Sequence, residues 1–148
     1  MVSLKRQKGV VSLHIPFLVA VLSLLFLISY TLFEQWLQNY KLERMAYFSA
    51  SVLADTELEY IDETSNQLYK YAMHYIYDNN EDNEGRGGFK SKKVSGGDKL
   101  YENTIGIGCG DSELYSYDPV DVSFTITHVQ ICTSEKKSAT KIRLSSAN

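Results

Sequence analysis

The sequence predicts an α+β protein. A long N-terminal helix crosses a membrane and continues as an amphipathic stalk, and a small antiparallel sheet follows it. Only His14 can be charged near neutral pH within residues 10–33, and about 20 apolar residues suffice to span a bilayer as a helix. Apolar side chains then recur every three or four residues as far as residue 77, as on one helix face. From residue 100 the apolar period becomes two, which is typical of half-buried strands.

Residues 1–9 form a short basic segment that fixes the expected orientation. Lys5, Arg6 and Lys8 precede the apolar run, and Glu34 is the first charged residue after it. Because basic residues favour the cytoplasmic side, we expect a cytoplasmic N-terminus and an exported C-terminal domain. The apolar run is longer than the 7–15 residues of a secretory signal. The sequence therefore predicts a single-pass protein of the cell membrane with its C-terminal domain outside the cell.

Residues 34–77 are expected to form the stalk, as one helix or with a break near residues 62–65. Neither Gly nor Pro occurs in this stretch, whereas Pro16 earlier in the chain predicts either a helix start or a kink. The half near the membrane has no chain of its own to pack on. We therefore expect contacts with partner chains along the stalk at Tyr40, Tyr47, Leu58 and Ile61. In the apolar run, His14 and Pro16 are also expected to take part in assembly.

Residues 78–99 are polar and contain five glycines, which predicts a flexible loop. Within it, Lys90, Lys92 and Lys93 form a small basic cluster that either contacts DNA phosphates or is solvated, and we expect the second. The spacing of Asp78, Asn80 and Asp82 resembles the start of a calcium loop. The turn glycine and the bidentate glutamate are missing from that pattern, so no metal site is expected.

Residues 100–148 are expected to form the sheet. Residues 120–126 alternate between apolar and polar, and the apolar set changes phase afterwards, which predicts a bulge or a bend near His128. Residues 135–138 are expected to turn into a second strand over residues 140–144. Weaker patterns predict strands over residues 100–107 and 113–117.

The two cysteines, Cys109 and Cys132, lie in the part of the chain that is expected to be exported. Export permits an intramolecular disulfide, while two free thiols or a bond between chains remain alternatives. The histidines His14, His74 and His128 are not placed by the pattern beside a nucleophile. We therefore expect no enzyme activity, no catalytic residue and no cofactor.

Four features together resemble the type IV pilin-like proteins: the basic leader ending in Lys8-Gly9, the apolar run starting at Val10, its amphipathic continuation and the C-terminal sheet. The chain is most similar to the ComGG family of minor competence pseudopilins of Gram-positive bacteria. That similarity is carried by residues 8–16, which include Pro16, and by the closing pair of strands.

The resemblance implies that a prepilin peptidase cuts after Gly9 and methylates Val10. It also implies a structural subunit of a pseudopilus that takes up DNA during transformation, with other minor and major pseudopilins as partners. Most members carry Glu at the fifth residue of the mature chain, where this chain has His14. Tip subunits can lack that Glu, because they have no neighbour above them to pair with. Direct DNA contact and tip or shaft position stay open.

A second function remains open on the sequence alone. An unprocessed single-span protein would have the same topology and would act through a juxtamembrane coiled coil, as a division or signalling scaffold. Such a protein does not need Lys8 and Gly9 directly before the apolar run, whereas a pilin-like protein needs them there for processing. The junction at Gly9 is thus the feature that favours the pilin-like function.

Overall fold

The computed structural model confirms the predicted α+β class. It describes residues 7–77 (side chains from residue 14), 85–107, 109, 124–134 and 137–146. The chain divides into two compact units, Met1–Leu37 and Gln38–Asn148. The elements in chain order are α1 Gln7–Asp55, α2 Ile61–Tyr77, β1 Gly87–Ser95, β2 Asp98–Gly106, β3 Phe124–Thr133 and β4 Ser138–Ser146.

The N-terminal unit, Met1–Leu37, is built from α1. This helix is long and apolar enough to cross a membrane, and its large apolar side chains from Ile15 to Leu37 are exposed. Ser23 and Ser29 donate their hydroxyls to carbonyl oxygens one turn earlier, at 2.8 Å. Their polar groups are thus satisfied inside the helix, as lipid surroundings require. Pro16 lies in the interior of α1 and not at its start.

The prediction of one uninterrupted helix to residue 77 is wrong. α1 ends at Asp55 and α2 begins at Ile61, so the break precedes the alternative site at residues 62–65. Thr56 closes the last turn, because its hydroxyl donates to the Val52 carbonyl at 2.7 Å. The 3.6-residue rhythm continues past the break because both helices pack on the same core.

The sheet contains four antiparallel strands in the order β2-β1-β3-β4. β1 lies inside residues 78–99, so the prediction of a flexible loop is wrong for that part, while residues 78–84 lie outside the described residues. β1 and β2 are joined by Gly96 and Gly97, with φ of 59° and 87°. Two consecutive positive φ values suit a tight hairpin turn and favour glycine.

β3 pairs with β1 and β4 in continuous register through His128, so the predicted bulge there is wrong. The irregularity lies instead between Lys93 and Val94, in the β1–β2 pair. β3 is buried on both faces over most of its length, which explains why its apolar side chains change phase. β2 and β4 coincide with the strands predicted over 100–107 and 140–144, whereas residues 113–117 and 120–123 lie outside the described residues.

The core of the C-terminal unit, Gln38–Asn148, lies between the two helices and one face of the sheet. Each layer contributes side chains that are almost fully buried, among them Ala46 from α1, Ala72 from α2 and Phe89 from β1, all 0% exposed. The two alanines keep the helices close to the sheet. The remaining members of this cluster include Leu42, Leu53, Met73, Val129 and Ile131.

Candidate functional site

The expected assembly residues divide between the surface and the core. Tyr40, Tyr47 and Leu58 are 47%, 58% and 49% exposed. Ile61 is 2% exposed and belongs to the core cluster, so its expected place on an assembly surface is wrong. The three exposed residues, Tyr40 and Tyr47 on α1 and Leu58 just after it, form the tyrosine face.

The tyrosine face is exposed because α1 turns a different stripe toward the sheet. The buried stripe contains Leu42, Met45, Ala46, Ser49 and Leu53. Tyr40 and Tyr47 do not belong to this buried stripe. The stripe predicted through the two tyrosines is therefore rotated around the helix axis relative to the buried one. A large aromatic side chain that stays exposed on a helix is a good anchor for a partner, because it buries much area at little entropic cost.

A groove lies between α1 and α2 on the side away from the sheet. The rings of Phe48 and Tyr71 meet in its middle, with their centroids 6.3 Å apart. Hollows of about 350 Å³ and about 390 Å³ adjoin that pair, the first lined also by Arg44 and Tyr75, the second also by Leu68. The sequence did not predict this groove, because nothing in the pattern showed that α2 folds back along α1.

Lys93 is buried, although the sequence grouped it with Lys90 and Lys92 as a basic cluster. Its Nζ donates to the carbonyl oxygens of Leu53, Ala54 and Thr56 at 3.3, 3.1 and 2.9 Å. These are carbonyls at the C-terminal end of α1, where a positive charge is favourable.

The surroundings of Lys93 also act on its charge. Burial lowers the pKa of Lys93, and the nearby Asp55 carboxylate partly opposes that effect. Lys93 therefore holds the end of α1 and does not form one exposed cluster with Lys90 and Lys92. Both lie on the sheet face opposite Lys93.

The two cysteines form an intramolecular disulfide. Their sulfurs are 2.11 Å apart and their Cα atoms 5.1 Å apart. Both residues are buried, Cys109 at 7% and Cys132 at 1% exposure. Of the three states that the sequence left open, the structure has the bridge, and it holds residue 109 against β3.

The three histidines lie on three different elements. His128 is 3% exposed in β3, and burial together with the nearby Lys92 charge lowers its pKa. His74 is exposed on α2, and His14 is exposed on α1. Among the described residues, no three His, Cys, Asp or Glu side chains are grouped as metal ligands.

The residues of the expected leader are only partly described. Gly9 and Val10 lie in the first turn of α1, as does the backbone of Lys8, while Lys5 and Arg6 lie outside the described residues. No protein-family model, no curated protein and no solved structure matches the chain.

Proposed function

We propose that this protein is a minor pseudopilin, a structural subunit of a competence-type pseudopilus that serves DNA uptake during transformation. One observation carries the proposal. α1 is a single helix over Gln7–Asp55 that contains the Gly9–Val10 junction and the apolar run, and its C-terminal part contributes side chains to the core of a small α+β unit. A subunit that is anchored in the membrane and later assembles through a helical stalk needs this continuity.

In this proposal the N-terminal segment directs both topology and processing. Lys5, Arg6 and Lys8 keep the N-terminus in the cytoplasm, where prepilin peptidase cuts after Gly9 and methylates Val10. Residues 10–33 anchor the subunit and then enter the filament. His14 cannot supply the carboxylate that pairs with a neighbour's amino group, which suits a subunit with no neighbour above it.

The tyrosine face supplies the contacts with other pseudopilins. Tyr40 and Tyr47 lie seven residues apart on α1, which is two helical turns. They therefore form one ridge on a helix side that the core does not use. A neighbouring stalk helix that packs along this ridge buries both rings.

The test is assembly by variants of the tyrosine face. In the Tyr40→Ala, Tyr47→Ala double variant we expect chemical cross-links to other pseudopilins and transformation frequency to fall together, while the protein stays at normal abundance. Tyr60→Ala is the matched control, since Tyr60 is also exposed, at 56%, but is not part of the ridge that Tyr40 and Tyr47 form on α1. Normal cross-linking and normal transformation in the double variant would contradict the proposal.

A further inference from the structure

β4 is an edge strand of the sheet. In the part of the chain that the structure describes, it pairs with β3 on one side and with no strand on the other. Its nine residues keep a continuous register with β3 and include neither Gly nor Pro. The N–H and C=O groups on its outer side therefore form an unbroken row, which is a template for pairing with a further strand.

The other edge of the sheet, β2, is less suited to pairing. Lys93 pairs with Tyr101 and Val94 with Lys99, so Leu100 has no partner in β1. An extra residue of this kind bends a strand, increases its twist and disrupts the ladder, which protects an edge from further pairing. The unbroken edge of this sheet is therefore the one formed by β4.

The face of β4 that lies toward the helices carries two cations. Ala139 belongs to the core cluster, and Lys141 and Arg143 follow it at intervals of two residues, so all three share that face. Lys141 Nζ lies 3.7 Å from the Glu43 carboxylate. Arg143 is exposed, and no described residue forms an ion pair with it. A strand added at this edge therefore meets one engaged cation and one unpaired guanidinium.

The opposite face of β4 is apolar and exposed. Ile142 and Leu144 lie on it and are 57% and 59% exposed. Phe124 of β3 pairs with Ser146, which places it diagonally next to Leu144 on the same face, and it is 43% exposed. Apolar side chains thus stand in a row beside the open backbone edge, where an added strand would cover them.

A second copy of this chain does not complement the edge. If two β4 strands paired antiparallel about Ile142, Lys141 of each copy would lie opposite Arg143 of the other. Like charges directly opposite one another destabilise a strand pair. Pairing of β4 with β2 of a second copy would place Glu102 beside the apolar row, since Glu102 lies on the face opposite Lys93. The β2 residues that would then face the cations offer no carboxylate, namely Tyr101, Asn103 and Ile105.

We propose that β4 is a docking edge for an extended segment of a different protein, which adds to the four strands as a fifth. Its backbone hydrogen-bonds to the open edge of β4, and its alternate side chains supply specificity. The side chains on one face of the segment are apolar and cover Ile142 and Leu144. On its other face an acidic side chain pairs with Arg143, since opposite charges on neighbouring strands attract.

This docking edge is separate from the tyrosine face, which lies on and just after α1. The inference goes beyond the proposed function, because docking at β4 requires neither processing at Gly9 nor assembly of a filament. It requires only the folded sheet of the C-terminal unit.

The test uses the full chain in detergent micelles and a synthetic peptide of nine residues, the length of β4, in which valine alternates with glutamate. When extended, this peptide presents valines on one face and carboxylates on the other. Hydrogen exchange measured by mass spectrometry reports protection of backbone amides. We expect the peptide to slow exchange over residues 138–146 of β4 and to leave residues 98–106 of β2 unchanged. The same peptide N-methylated throughout has no backbone donors and should protect neither strand.

Substitutions in β4 test the side-chain contacts. Ile142→Thr with Leu144→Thr removes the apolar contacts and introduces threonine, which favours strands. Loss of two cross-strand pairs should weaken binding of the valine–glutamate peptide about 2- to 30-fold. Leu100→Thr on β2, where Leu100 is 43% exposed, is the matched control and should leave binding unchanged.

Charge reversal tests the chemistry of the partner. The unchanged protein should bind the valine–glutamate peptide more tightly than a peptide in which valine alternates with lysine. Arg143→Glu should reverse that order, because the guanidinium is replaced by a carboxylate on the same face of β4. A role of Arg143 in the stability of the sheet alone would not change which peptide binds more tightly.

Protection confined to β4, together with this reversal, supports the docking edge. Exchange in β4 that the valine–glutamate peptide does not slow overturns it, as does equal binding of the N-methylated peptide or of the valine–lysine peptide to the unchanged protein. Protection of β4 that rises with protein concentration in the absence of any peptide assigns the edge to a second copy, and also overturns the inference.

Discussion

Replacing Lys93 by methionine removes the ammonium group that holds the end of α1, while it nearly preserves the volume of the side chain. Three carbonyl oxygens then lose their donor, at a site where Lys93 is 8% exposed and water has little access. A hydrogen bond from a charged donor contributes about 1.5–3 kcal/mol net. One ammonium is shared among three acceptors, and the cost of burying its charge offsets part of the gain. Lys93→Met should therefore lower the free energy of unfolding by about 2–4 kcal/mol.

Urea unfolding of the detergent-solubilised protein measures this loss. Near-ultraviolet circular dichroism reports mainly the packed unit, because ten of the eleven tyrosines follow residue 37. With a slope of about 2 kcal/mol per molar urea, the Lys93→Met midpoint should fall by about 1–2 M. Lys92→Met is the matched control, because Lys92 lies on the opposite sheet face and should change stability by less than about 0.5 kcal/mol. Equal midpoints for the two variants would refute the assigned role of Lys93.

Three further predictions concern the sheet. Burial lowers the pKa of His128 in the folded state below 6.5. As pH drops below about 6.5, the unfolded state is therefore protonated before the folded state, and the free energy of unfolding should fall. His128→Gln should flatten that pH dependence in urea midpoints, and an unchanged slope would contradict it. Reducing the Cys109–Cys132 bridge, which spans 23 residues, should lower the free energy of unfolding by about 3 kcal/mol. Urea midpoints with and without reductant measure this loss, and equal midpoints would argue against a stabilising bridge. Gly106→Ala should destabilise the protein more than Gly97→Ala. Both glycines have positive φ, but a Cβ at Gly106 would meet the Gly87 carbonyl and the Tyr69 ring, while a Cβ at Gly97 would meet open space. Equal thermal midpoints for the two variants would contradict this packing.

The parts of the fold that follow from local patterns were predictable. The apolar run predicted the helix of the N-terminal unit, and the alternation around Ile142 predicted β4. β1 was missed because Lys90, Lys92 and Lys93 give it a polar composition. The ammonium of Lys93 is buried between one sheet face and the end of α1. A local sequence pattern cannot show this, because the carbonyl of Thr56 that accepts its hydrogen bond lies 37 residues earlier in the chain.

The helix break was missed for the same kind of reason. Neither Gly nor Pro lies between Asp55 and Ile61, so no local stop signal exists. α1 ends there because carbonyls from its last turn and from Thr56 find a tertiary donor, and α2 then returns along α1. The groove at Phe48 and Tyr71 is a product of that return. Their separation of 23 residues kept it out of reach of periodicity arguments.

The intact mass of the protein tests the central claim most directly. It is measured in cells with and without prepilin peptidase, with Gly9→Val as the matched variant. We expect the loss of residues 1–9 and the gain of one methyl group on Val10, only when the peptidase is present and only with Gly9 in place. A full-length mass in both strains would contradict the pseudopilin account and would favour an unprocessed single-span protein that acts through its juxtamembrane helix.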